Sequence, residues 1–92
     1  MPLPSAHIRQ LRSQAHARKP VLRIGNKGLT DNVLLELERA LNDHELIKVA
    51  IAGLDREQRR EVTNELCARS GAELVQIIGR ISVLYRVAPP AR

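Results

Sequence analysis

Aromatic side chains are almost missing from this chain: Tyr85 is the single one, with no Trp and no Phe. Proteins that hold single-stranded nucleic acid by stacking place several rings on a platform, so that mode is excluded. Cysteine is equally scarce. Cys67 alone can form neither an internal disulfide nor a cysteine-based zinc site. Beside Leu66, in an apolar helical stretch, it is expected to be a buried and inert thiol. No apolar run approaches the roughly 20 residues of a membrane-spanning helix. The first residues, "MPLPSAHIRQLRSQ", lack the apolar core of a signal peptide. The expectation is a soluble cytoplasmic protein with no membrane partner.

Acid is missing from one region. Residues 1–30 carry Arg9, Arg12, Arg18, Lys19, Arg23 and Lys27 but no Asp or Glu, a charge of +6. Residues 31–47 hold five acids against Arg39, and residues 48–92 return to +3, leaving the chain at +5. Charge separated in this way makes a directed electrostatic surface, and the expected partner is a polyanion.

Catalytic groupings are missing too. His7, His16 and His44 are scattered and show no metal-ligand spacing. Ser5, Ser13, Ser70 and Ser82 lack a nucleophile elbow. Glu65 lies four residues before Arg69, which is ordinary helix pairing. No catalytic residue, metal, cofactor or small-molecule substrate is expected.

What is present is a regular alternation of helix and strand patterns. Ninety-two residues make one domain, for which a single two-layer core is the expected limit. Ser5 can cap a first helix ending near Arg18, because Lys19 precedes Pro20 and is pushed toward extended geometry. Ile8, Leu11 and Ala15 form its apolar stripe, with Arg9, Arg12 and His16 on a neighbouring face. Val21–Ile24 reads as a strand. Thr30 caps a second helix, whose buried face is Val33, Leu34, Leu37 and Leu41 and which Asn42-Asp43-His44 breaks. "ELIKVAIA" alternates as a strand; Asp55 and Gln58 make a capping-box pair for a third helix, which Gly71 ends. "ELVQII" and "ISVLYRV" are strands joined by a tight turn at Gly79-Arg80, and Pro89-Pro90 closes the chain.

The order α-β-α-β-α-β-β implies a mixed four-stranded sheet. The alternation predicts Leu22, Ile24, Ile47, Val49, Ile51, Val75, Ile77, Ile81 and Val83 on its core side. Arg23, Lys48, Gln76, Ser82 and Arg86 fall on the other, with Leu46, Ile78 and Leu84 among them.

Between the first strand and the second helix stands "GNKG", Gly25 to Gly28. Glycine lets the backbone come close to a ligand. The helix start that follows presents N–H groups suited to a phosphate oxygen. Lys27 adds a mobile charge and Asn26 an amide donor. The GxxG loop of KH domains clamps a nucleic-acid backbone by the same logic. A Walker loop is excluded by spacing, and a dinucleotide loop is disfavoured by the absent third glycine. GxxG alone is a common chance spacing, so its context carries the argument.

That context extends along the chain. "LRSQAHARKPVLRIGNKGLTDNVLLELERAL", "HELIKVAI" and "QIIGRISVLYR" resemble the bacterial YhbY family, the stand-alone CRM (chloroplast RNA splicing and ribosome maturation) domain, over about residues 9–88. The resemblance implies a compact single-domain α/β fold like the C-terminal domain of translation initiation factor three. It would occupy residues 1–92, with short tails at about 1–5 and 88–92. It implies a non-enzymatic RNA-binding protein on ribosomal RNA in precursors of the large ribosomal subunit, with ribosomal proteins as further partners. The family's RNA-contacting loop falls on Gly25, Asn26, Lys27 and Gly28. Its basic surface falls on Arg9, Arg12, Arg18 and Lys19, with Arg80 and Arg86 at the terminal hairpin, and Arg23 joins them on the strand before the loop. The alternative is a protein-docking module using the acids of the second helix region, Glu36, Glu38, Asp43 and Glu45.

Overall fold

Three helices and four strands alternate in the expected order: α1 (Ser5–His16), β1 (Leu22–Ile24), α2 (Asp31–His44), β2 (Leu46–Ile51), α3 (Arg56–Ser70), β3 (Glu73–Ile78) and β4 (Ile81–Tyr85). The computed structural model describes residues 3–25 and 27–88. Asn26 and the Pro89-Pro90 ending therefore lie outside the described residues, as do Met1 and Pro2 of the expected N-terminal tail.

Local chemistry sets most element ends. The Thr30 hydroxyl accepts from the Val33 amide at 3.2 Å and starts α2. Asp55 and Gln58 form a reciprocal capping box on α3, and Gly71 closes that helix in the left-handed conformation at φ 76°. Two ends differ from expectation. Ser5 is the first helical residue of α1, not its cap; the extended Pro4 precedes it without any side-chain cap bond, and the helix stops at His16. Proline suits this position because a helix start leaves amide donors unused, so its missing N–H costs nothing. At the other difference, α2 runs through His44 and turns at Glu45, a non-glycine residue with φ 61°. Three bonds hold that turn: Glu45 N–H to Leu41 O, Arg86 N–H to Glu45 O, and Ala88 N–H to the Glu45 carboxylate at 2.7 Å.

The sheet has the order β1-β2-β4-β3, with β1 parallel to β2 and both remaining pairs antiparallel. The C-terminal ends of β1 and β2 and the β3–β4 turn lie at one end, here called the upper. Ala52 N–H donates to Ile24 O at 2.9 Å there, and Ile51 N–H to Arg80 O at 2.8 Å. The starts of β1 and β2 and the end of β4 form the lower end, where Leu46 pairs with Tyr85.

Helices cover both faces, so the core is split in two instead of forming one two-layer unit. On one face α2 and α3 pack Leu37, Leu41 and Leu66 against Leu22, Ile24, Ile47, Val49, Ile51 and Leu84. On the other, α1 packs Leu11 and Ala15 against Leu46, Val75 and Val83. Each fully buried aliphatic side chain contributes about 1.5–3 kcal/mol of transfer free energy.

The pairing register corrects the predicted faces. Ser82 is opposite Val49 and Leu84 opposite Ile47, so both point toward α2 and α3, while Ile81 and Val83 point toward α1. Directly opposed residues share a face, and a one-residue slip exchanges the two. Val75 moves to the α1 side with them because the β3–β4 register shifts between Leu74 and Gln76. Ser82 is thus buried, 2.6 Å from the hydroxyl of Thr63, which is also 2.8 Å from the Arg59 carbonyl. Cys67 faces the α2–α3 core but is half-buried where full burial was expected; burial together with the Glu73 carboxylate pushes its thiol up to about 11.

Candidate functional site

The upper end of the sheet collects the glycine loop and several bases. The loop is a turn closed by Gly28 N–H to Gly25 O at 3.0 Å, followed by Thr30 N–H to Gly28 O at 3.2 Å. Gly28 needs its residue type, because φ is +66°. Gly25 does not. It lies outside the left-handed region, and a Cβ placed on it would meet no atom within 4 Å. Neither backbone conformation nor packing explains that glycine, and its surface is open to an approaching molecule.

Lys27 is exposed on this loop. Arg80 is exposed in the β3–β4 turn, two strand spacings away, about 10 Å by sheet geometry. Arg23 is exposed on β1 just before the loop, paired with Ala50, and points to the α1 side. Among the described residues none of these three side chains has a hydrogen bond or ion pair. Asp31 occupies the first turn of α2, where it complements the helix dipole itself. Attraction for an anion at this end therefore comes from the bases more than from the α2 amides.

The other expected site residues are not gathered here. Arg18 and Lys19 follow α1 at the lower end, separated from the loop by the length of the strands, about 15–20 Å. Arg18 also donates through Nη1 to Leu46 O at 2.7 Å, joining the end of α1 to β2. Arg86 lies at the lower end as well. Its Nη1 donates to Glu38 Oε1 at 2.9 Å and Ser70 O at 2.7 Å, and its Nη2 to Asn42 Oδ1 at 2.8 Å. That side chain ties β4 to α2 and to the end of α3. Arg9 and Arg12 are exposed on α1, across the sheet from α2 and α3.

Three bases near the upper end escaped the sequence reading: Arg56, Arg59 and Arg60, in the first two turns of α3. Their signal was the pattern R-x-x-R-R directly after the Asp55 cap. A helix N-terminus disfavours positive charge, so such a cluster is not placed there for helix stability. Among the described residues no group of His, Cys, Asp and Glu could hold a metal ion, and no helix is long and apolar enough to cross a membrane.

An α/β/α domain carrying a basic glycine loop at one end of a mixed sheet is the class that fold and site define. The chain belongs to the CRS1/YhbY (CRM) domain family, whose profile matches residues 3–86. It is 51% identical over 89 residues to a Pseudomonas aeruginosa protein named "Probable RNA-binding protein", covering 97% of this chain and 86% of that one. A Haemophilus influenzae protein named "RNA-binding protein" is 48% identical over 82 residues, covering 89% of this chain and 83% of its own length. The fold matches the solution structure of a hypothetical Staphylococcus aureus protein with a TM-score of 0.83 and 32% identity, over 98% of this chain and 94% of that one.

Proposed function

We propose that this chain is a non-enzymatic, cytoplasmic RNA-binding domain that acts on ribosomal RNA in precursors of the large ribosomal subunit. The observation that carries the reading is Gly25, a glycine the fold does not require, on an open surface beside unpaired bases. A phosphate backbone can lie against such a surface where a side chain would hold it off. Lys27 and Arg80 then neutralise phosphates, and Gly28 shapes the turn. With Tyr85 partly buried against the α1 core, recognition rests on backbone and shape instead of base stacking. The names of the two bacterial relatives support RNA as the partner. The rival reading, docking through acids around α2, is weakened because Glu38 and Glu45 are held by Arg86 and the Ala88 amide.

The test is filter binding of in vitro transcribed large-subunit ribosomal RNA across a salt series. Lys27→Ala removes one phosphate contact, so the slope of log K against log salt should fall in magnitude by ~0.7–0.9, with affinity about five-fold weaker at 0.1 M salt. An unchanged slope removes the loop from the interface. Nuclease-sensitive co-sedimentation with precursor large subunits would support the ribosomal assignment, and migration only as free protein would refute it.

A further inference from the structure

A second basic feature lies on the α3 side of the same end. The first turns of α3 and the β3–β4 turn border a groove lined by Arg56, Glu57, Arg59, Arg60, Ile77 and Gly79. Arg56 and Arg60 are exposed, and among the described residues neither side chain has a hydrogen bond or a carboxylate partner. Arg59 is half-buried. Its Nη1 donates to Leu54 O at 2.6 Å, while its Nε is buried with no acceptor. A guanidinium drawn out of water without an anion is costly, and an unfilled buried donor adds to that cost. The three charges also stand against the dipole of the helix that carries them. Solubility alone would not place an arginine half-buried in a groove with no carboxylate bonded to it.

We propose that this groove is a second phosphate-binding site, taking the sugar–phosphate backbone of the same RNA strand that crosses the Gly25–Gly28 loop. The inference rests on the RNA-binding reading above. The groove offers charge and an aliphatic wall at Ile77 but no aromatic surface, so it suits phosphates and not stacked bases. The ends of β1 and β3 are separated by three strand spacings, about 15 Å. That distance is within reach of a few consecutive nucleotides of one strand. Arg80, in the turn beside Gly79, stands between the two sites.

The experiment compares R56A/R60A with R39A/R69A, which removes the same charge from exposed positions of α2 and α3 outside the groove. Binding of in vitro transcribed large-subunit ribosomal RNA is measured across a salt series, and thermal melts by circular dichroism check the fold. Arg59 is left intact because it also fixes the Leu54 carbonyl. R56A/R60A should melt like the parent, lower the salt slope by about 1.4–1.8 and weaken binding about 25-fold or more at 0.1 M salt. R39A/R69A should change the slope by much less. Glu57→Gln, which removes the acid from the groove, should tighten binding a few-fold. If the parent binds and Lys27→Ala weakens it, but R56A/R60A behaves like R39A/R69A, the groove is overturned and the loop reading stands. If the parent shows no salt-dependent binding, both fall.

Discussion

At the lower end of the sheet the guanidinium of Arg86 reaches Glu38, Asn42 and the Ser70 carbonyl, and that of Arg18 reaches the Leu46 carbonyl. At the upper end the side chains of Lys27, Arg56, Arg60 and Arg80 are exposed, with no hydrogen bond or ion pair among the described residues. The same chemical type thus stands in two states along one sheet axis, about 15–20 Å apart. Arginines whose donors are satisfied within the fold hold elements together. Those left unsatisfied are the ones that the proposed RNA partner would meet. Net charge counts both kinds alike, and hydrogen bonding separates them.

The widest separation should come from Arg86→Ala. Loss of three charge-assisted hydrogen bonds should cost about 2 kcal/mol of stability, read as a lower urea midpoint at unchanged m-value. The salt slope of RNA binding should stay at the parental value. A variant that keeps full stability but loses RNA affinity would break the comparison and return Arg86 to the interface. The glycines of the loop give a smaller contrast. Gly28→Ala places a Cβ at φ +66° and should cost about 1–2 kcal/mol. Gly25→Ala meets no neighbouring atom, so its stability should change by less than about 0.5 kcal/mol while RNA binding weakens. If both glycines affect stability alone, the loop is only a turn.

Much of this was legible in the residues. Apolar periodicity and the caps at Thr30, Asp55 and Gly71 placed every helix and strand in order, because those signals act within a few residues. The sheet faces were not legible for β4. Its run Ile81–Tyr85 has aliphatic residues on both sides, so only the pairing of Ser82 with Val49 decides which side meets α3. The bases around the loop were found from charge, yet sequence could not tell that Arg86 would be used up by Glu38, 48 positions away. Arg56, Arg59 and Arg60 were masked by the acids interspersed along α3, although their position against the helix dipole marked them.

The smallest effect comes from the pH dependence of the lower end. The hydrogen bond from Arg86 holds the Glu38 carboxyl below the ordinary glutamate range; partial burial opposes this shift, and the charge of Arg86 adds to it. A carboxyl with a lowered folded-state value stabilises the fold above its unfolded value and loses that contribution as pH falls through the folded one. The Glu38 side chain is 47% exposed and that of Arg86 19%, so solvent screening limits the contribution to below about 1 kcal/mol. Urea titrations of the parent and Glu38→Gln from about pH 7 to about pH 3 should show a constant stability gap down to about pH 4.3, narrowing below it. The gap between the parent and Lys27→Ala should be near zero throughout, because no folded-state partner holds that ammonium among the described residues. A narrowing gap for Lys27→Ala would mean that the upper end, too, is held by a carboxylate, and its charge would then be no freer for RNA than that of Arg86.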